Sequence, residues 1–226
     1  MSVRKEEFVP GGIYHIYNRG VDKRTVFEDK QDFYQFLDMM DIFNQDRSLG
    51  SRLVYNYPVN IKHRGKTSML VEIVAFCLLP NHYHLILKEN VEGGVSKFMQ
   101  KLGTGYTMYF NQKNDRSGAL FQGKFKSKLV ETQEYLEYLS VYVNLNFKIH
   151  NVDKKLTSKQ RKEYDGDAYR SSFYEYIYDD VKNKRCSSEV ISKSFKNKEK
   201  YLEYANRQVV AMISRKDNEF NDNKTT

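Results

Sequence analysis

The chain has 226 residues, enough for one well-packed domain with an appendage, and it contains no apolar run of the roughly 20 residues that a membrane span requires. Its 37 Lys and Arg residues outnumber its 29 Asp and Glu residues, and the net charge of +8 favours a polyanionic partner. The two cysteines, Cys77 and Cys186, fit neither a disulfide framework nor a CxxC zinc site, which predicts a soluble protein of a reducing, intracellular compartment.

Hydrophobic patterns predict strands and helices throughout the first 150 residues. Apolar residues at three- and four-residue spacing indicate helices, and short β-branched or alternating runs indicate strands. In chain order, the elements lie at 13–19 (strand), 29–44 (helix), 71–79 and 82–88 (two neighbouring strands or one bent strand), 96–111 (helix), 120–130 (strand) and 131–146 (helix). This order predicts an α+β fold of the ferredoxin-like class, with an antiparallel sheet and helices packed on one face.

Three segments fall outside this pattern. Residues 46–68 lose periodicity and carry several basic side chains, which predicts an insertion in a domain at 1–150. Residues 151–216 are charged, then aromatic-rich, then helical in pattern, and predict a partly helical C-terminal extension. The polar residues 217–226 predict a disordered tail.

The sharpest chemical feature is a pair of histidines on a predicted strand. His82 and His84 are two residues apart, so they share a strand face at roughly 7 Å between Cα atoms and can converge on one ion. Tyr142 and Asn146 are four apart and share a helix face. Two imidazoles and one amide oxygen form an open site that suits Mg²⁺ or Mn²⁺. The alternative is structural, with one histidine packed in the core, the other on the surface, and Tyr142 packed in the core with its hydroxyl satisfied at the edge.

These residues form part of a longer series of matches. The stretch 79–87 resembles the metal-binding strand of the single-tyrosine HUH transposases, and 142–146 is similar to the helix that carries their nucleophile. Further stretches that resemble the family lie at 14–20, 98–99, 106–111 and 120–127. Together the matches span about 10–146 in the family's order, and they resemble in particular the REP-associated tyrosine transposase branch.

The resemblance implies an endonuclease and transposase that cleaves and rejoins single-stranded DNA next to hairpins. Tyr142 would be the nucleophile, His82, His84 and Asn146 would hold the divalent metal, and the product would be a 5′-phosphotyrosine with a free 3′-OH. Rejoining would need no nucleotide cofactor, and the sequence contains no Walker motif. The family further implies a cytoplasmic, nucleoid-associated protein of bacteria or archaea without a membrane partner, for which a monomer is favoured over a dimer.

Basic residues near the proposed site are the candidate DNA contacts. Lys124, Lys126 and Lys128 alternate along the strand predicted at 120–130, and this alternation puts them on one face. Arg19 ends the first strand and depends on the resemblance. The alternative for all four is a solvated basic face. Residues 169–174 resemble a segment of the REP-associated branch that either reads the foot of a hairpin or docks the tail.

The tyrosine motif departs from the family's usual form at two positions. Asn144 stands where a histidine is usual, and Phe147 where a proline is usual. Asn144 points off the ligand face of a regular helix, so we expect changed local contacts and retained chemistry. The insertion at 46–68 is longer than the family's, and a solvated loop is favoured there over a DNA contact.

Two other functions stay open. One is a hairpin-binding module of the same fold that lost catalysis. The other is an unrelated metal hydrolase, which would need a carboxylate base such as Glu72 or Glu89 near the histidines. Tyr83, between the histidines, is predicted to face away from them and to pack in the core.

Overall fold

The computed structural model describes residues 7–46, 69–150, 170–178, 181 and 184–222, with side chains described to residue 216. Its strands form one antiparallel sheet, in the order β2-β3-β1-β4. The strands are β1 (Ile13–Arg19), β2 (Val71–Leu79), β3 (His82–Glu89) and β4 (Lys126–Leu129). The predicted α+β fold with an antiparallel sheet is therefore confirmed. Apart from Asp46, the predicted insertion at 46–68 lies outside the described residues.

The described helices are α1 (Lys30–Phe43), α2 (Gly94–Lys113), α3 (Gln133–Asn144), α4 (Asn146–Ile149), α5 (Phe173–Ile177), α6 (Glu189–Ser192) and α7 (Lys198–Asp222). Side-chain caps fix the starts of α1 and α3. The Asp29 carboxylate accepts a hydrogen bond from the backbone N–H of Asp32 at 3.1 Å. The Thr132 hydroxyl accepts one from the backbone N–H of Tyr135, also at 3.1 Å. None of these helices is both long enough and apolar enough to cross a bilayer. Helix α7 extends into the segment predicted as a tail, and the predicted domain boundaries stay predictions.

Helices cover both faces of the sheet, whereas the sequence predicted one covered face. Helices α1 and α2 pack over residues such as Tyr14, Ile16 and Leu85. Helix α3 and the segments after residue 170 pack over the other face, which includes Cys77 and Ile86. The physical reason lies in the paired strands β2 and β3, whose side chains are buried at most positions on both faces and so need a cover on each side.

The last strand is much shorter than predicted. The strand comprises Lys126–Leu129, because the chain turns at Gly123, whose φ is +67°. Lys126 and Lys128 keep the predicted alternation. Lys124 lies before the strand and lines a groove of about 870 Å³ between the sheet and α2, so the alternation that grouped it with the other two lysines is wrong.

Helices α1 and α2 approach closely at Gly105. A Cβ atom at this position would lie 2.6 Å from the ring of Phe43, which is buried in the core. Two residues earlier on the same helix, a Cβ atom at Gly103 would meet nothing within 4 Å. The two glycines therefore provide a matched test of the helix contact.

Gly105→Ala is expected to lower the free energy of unfolding by about 1–3 kcal/mol, because the added methyl group overpacks the contact with Phe43. Gly103→Ala is expected to raise it by about 0.5–1 kcal/mol, since alanine has the higher helix propensity and the space is open. Urea denaturation of both variants measures the difference. An equal loss in the two variants would contradict the close approach of α1 and α2.

Candidate active site

Strand pairing gathers ring side chains on the sheet face opposite α1 and α2. Alternating residues of β1 and β3 bring four of them there: His15, Tyr17, His82 and His84. The antiparallel register places Tyr17 directly opposite His84. Helix α3 adds Tyr142, whose ring centre lies 5.6 Å from that of His84 with the planes at 81°. The structure thus brings the predicted nucleophile beside the predicted histidine pair.

The two predicted ligand histidines each have one ring nitrogen held by a hydrogen bond. Their ring centres are 5.2 Å apart. Nδ1 of His82 lies 2.7 Å from Oδ1 of Asn81, and because that oxygen only accepts, the proton of His82 is on Nδ1. Nδ1 of His84 lies 2.9 Å from Nε2 of His15. These contacts leave Nε2 of both ligand imidazoles for a further partner, as in histidines that bind metals.

Burial keeps both imidazoles in the neutral form. It lowers the pKa of His82 to about 4, with smaller contributions in the same direction from the charges of His150 and Arg19. Burial also lowers the pKa of His84 well below its usual value, and the neighbouring imidazoles add to the effect. The neutral imidazole, with a free lone pair, is the form that binds a metal ion.

The predicted helix at 131–146 is interrupted just before its last candidate residue. Helix α3 ends at Asn144, Leu145 has φ −115° and ψ 19°, and Asn146 begins α4. The Asn146 side chain is fully buried, and neither its Oδ1 nor its Nδ2 atom has a hydrogen-bond partner among the described residues. An unsatisfied buried amide costs about 1–3 kcal/mol, so this side chain fits a site that supplies a further partner such as a cation.

Tyr142 is half-buried on α3. Burial raises the pKa of its phenol, and the nearby Asn146 amide opposes this shift by favouring the ionised form. The contact between the two side chains does not reach the geometry of a hydrogen bond. In the free protein the phenol is therefore protonated at neutral pH, and it needs a further positive charge to ionise.

The predicted DNA contacts lie in different places. Arg19 and Lys126 line a pocket of about 280 Å³ that His82 also borders. Lys128 lies opposite His15 on the same face, with its Nζ atom 4.7 Å from the centre of the Tyr135 ring. Arg19, Lys126 and Lys128 are thus on the histidine face of the sheet, and the groove that Lys124 lines is on the α2 side.

The carboxylates required by the hydrolase alternative are engaged elsewhere. Glu89 is fully buried and accepts hydrogen bonds from the backbone N–H groups of Gly93 and Val95 at the start of α2. Glu72 forms an ion pair with Lys88 at 3.1 Å. Within the described ranges, no three His, Cys, Asp or Glu side chains are grouped closely enough to hold a metal ion, so the proposed ligand set depends on an amide.

Tyr83 packs as predicted. It is buried on the face that α1 covers, with its ring centre 5.3 Å from that of Phe36 and 5.5 Å from that of Phe121. Two residues at the site were missed by sequence reasoning, namely His15 and Asn81. His15 alternates with Tyr17 along β1, which is a usable signal, but only the pairing of β1 with β3 brings it to the ligand histidines.

Comparisons with known proteins agree with this geometry. Residues 44–146 match the family model described as "Transposase IS200 like". A matching solved structure is "Structure of the REP associates tyrosine transposase bound to a REP hairpin", with a TM-score of 0.52 and 15% identity over 84% of this chain and 93% of that chain. The search of curated proteins found no match. The family resemblance is confirmed, and the solved structure shows a shared fold.

His15→Gln is expected to weaken the acid sensitivity of the fold. Burial, with a smaller contribution from Lys128, lowers the pKa of His15 from 6.5 to about 4. Between these values the unfolded chain binds a proton that the folded chain does not, so folding stability falls as the pH drops through this window. The free energy of unfolding, measured by urea denaturation, falls between about pH 7 and about pH 4.5. This fall should be about 2–3 kcal/mol smaller in the variant than in the wild type. Equal losses would contradict a neutral, buried His15.

Proposed function

We propose that this protein cleaves and rejoins single-stranded DNA next to a hairpin through a covalent bond to Tyr142, because residues 44–146 match the model of the IS200-like transposase family. The observation that carries the proposal is the position of Tyr142, which lies beside His84 of the histidine pair and near the buried amide of Asn146. The related solved structure is described as bound to a REP hairpin, which supports a DNA hairpin as the partner.

His82, His84 and Asn146 are the residues that would hold a divalent cation, Mg²⁺ or Mn²⁺. The donor set fits, because two neutral imidazoles have Nε2 available and the amide oxygen of Asn146 has no other partner among the described residues. When bound, such a cation polarises a non-bridging phosphate oxygen and favours the ionised form of a nearby phenol. The family supports this metal requirement.

Tyr142 supplies the nucleophile in this proposal. Its phenolic oxygen attacks the phosphorus of the scissile phosphodiester, and the bond between phosphorus and the 3′ oxygen breaks as the new bond forms. The phenolic proton passes to solvent, and the departing 3′ oxygen takes up a proton from solvent. The products are a 5′-phosphotyrosine and a free 3′-OH, and attack by another 3′-OH reverses the step without ATP.

Arg19 and Lys126 would bind the backbone of the strand on one side of the scissile phosphate. Both border the pocket beside His82, and both side chains are exposed. Phosphate contacts of this kind position a strand without reading its sequence. The pocket thus supports a path for single-stranded DNA that leads from β4 across β1 to the histidine pair.

Tyr142→Phe is expected to abolish covalent adduct formation. The test mixes the protein with labelled single-stranded DNA containing hairpins from around its gene, with Mg²⁺ or Mn²⁺ or with a chelator, and measures denaturant-resistant adduct. Tyr138→Phe is the control, since it removes a phenol hydroxyl one turn away on the same helix. Adduct that persists in Tyr142→Phe would contradict the choice of nucleophile. Hairpin binding by the wild type without adduct would favour the module that lost catalysis.

Lys126→Ala is expected to weaken binding of single-stranded DNA and to reduce the slope of log K against log salt by about 0.7, the value for one lost phosphate contact. Lys124→Ala is the comparison, because Lys124 lies in the groove on the α2 side of the sheet. Fluorescence anisotropy over a salt series measures both. A loss of DNA affinity in Lys124→Ala alone would contradict the path through Arg19 and Lys126. Equal losses of affinity in the two variants would extend the DNA contact to both faces of the sheet.

A further inference from the structure

The segments after residue 170 bind the residue at which the Tyr142 helix ends. We refer to described residues from 170 onward as the extension. The side chain of Asn144, the last residue of α3, is fully buried. Its Oδ1 atom accepts a hydrogen bond from the Ser172 hydroxyl at 2.5 Å, and its Nδ2 atom donates one to the Tyr201 hydroxyl at 3.1 Å. Both ends of the amide are thus held by the extension.

The extension also binds the backbone at the helix break. The Asn144 carbonyl, one of those left without a partner where a helix ends, accepts a hydrogen bond from the Ser171 hydroxyl. On the other side of the break, the Ile149 carbonyl at the end of α4 accepts one from Nζ of Lys216 at 3.3 Å. The break at Leu145 lies between Tyr142 and Asn146, and contacts from the extension hold the chain on both sides of this break.

The part of the extension that makes these contacts is itself fixed to the sheet. The backbone N–H of Leu78 donates to the Arg170 carbonyl at 2.7 Å, and the backbone N–H of Ser172 donates to the Phe76 carbonyl at 3.0 Å. The backbone N–H of Phe76 donates in turn to the Ser172 hydroxyl at 2.9 Å. Phe76 and Leu78 lie on β2, which pairs directly with β3, the strand that carries His82 and His84.

We propose that the extension is a clamp that holds the Tyr142 helix in register with the histidine strand, and that Asn144 is the positioning residue through which it acts. The inference rests on the proposed function, because the clamp matters only if Tyr142 must meet a phosphate held near His82 and His84. Asn144 does not touch the substrate. Its two hydrogen bonds to the extension, which is itself bound to β2, hold the helix break between Tyr142 and Asn146 at a fixed place relative to β2.

Two buried tyrosines of the extension provide a matched pair for the test. The Tyr201 hydroxyl accepts a hydrogen bond from Nδ2 of Asn144 and lies 3.3 Å from the hydroxyl of Ser140, and both of these residues are on α3. Tyr176 instead donates to the Val74 carbonyl on β2. The two rings stack with centres 5.3 Å apart, and both are buried. Replacing either tyrosine by phenylalanine removes one buried hydroxyl from the same cluster, but only one of the two replacements loosens the contact with α3.

The experiment measures the single-turnover rate of adduct formation at saturating hairpin DNA, the hairpin affinity and the free energy of unfolding. Tyr201→Phe is expected to slow adduct formation about ten-fold with unchanged hairpin affinity, since small misplacements of a reacting group are costly. Tyr176→Phe is expected to lower the free energy of unfolding by a similar amount and to leave the rate of adduct formation unchanged. Asn144→Ala, which removes both contacts, is expected to slow the rate by about 100-fold. Equal rates in the two tyrosine variants would overturn the proposal.

A second measurement separates failure of the clamp from failure of the proposed function. Hydrogen exchange of the peptide covering 142–149 is expected to rise in Tyr201→Phe and to stay at the wild-type level in Tyr176→Phe. If the wild type forms no adduct, the function proposed for Tyr142 fails, and the exchange measurement still tests the clamp. Unchanged exchange in Tyr201→Phe would overturn the clamp whatever the activity.

Discussion

The site depends on the antiparallel pairing of β1 with β3. This register sets Tyr17 opposite His84 and brings Nε2 of His15 within 2.9 Å of Nδ1 of His84. A slip of one residue would move the side chains of one strand to the α2 side of the sheet. The apolar side chains of both strands oppose such a slip, because Ile16 and Leu85 are fully buried beneath α1 and α2. The core therefore fixes the face on which the polar residues meet.

Burial has opposite consequences for the two kinds of group at this face. For the histidines it favours the neutral form, which is the form that binds a metal ion. For Tyr142 it raises the pKa of the phenol and so disfavours the phenolate, which is the attacking form in the proposed reaction. The Asn146 amide opposes that shift only in part. In the reaction proposed above, a site with this balance would keep Tyr142 protonated until a cation and a substrate were both bound, which would limit unproductive reactions of the free protein.

Local sequence signals predicted most of the fold. The predicted strand at 13–19 matches β1, and helices α1 and α3 begin within two residues of their predicted starts. The period-two rule put His82 and His84 on one face of the sheet. These predictions succeeded because they depend on residues close together in the chain.

Features set by distant residues were not predictable in this way. The turn at Gly123 shortens β4, and alternation of residue types alone does not reveal it. The contact of His15 with His84 joins residues 69 positions apart, and that of Asn144 with Tyr201 joins residues 57 apart. From spacing, Asn144 was predicted only to point away from the ligands. That it meets the extension follows from tertiary packing.

The backbone contacts of Arg170 and Ser172 have a consequence for how copies of this chain can associate. β2 lies at one end of the sheet, where an unpaired strand is a template for β-augmentation by another chain. Residues 76–78 already exchange hydrogen bonds with the chain's own residues 170–172. At the opposite end, β4 offers only four residues, two of them exposed lysines. The backbone groups of β2 at 76–78 are therefore occupied by the chain itself, which closes this part of the sheet edge to strand addition by another copy.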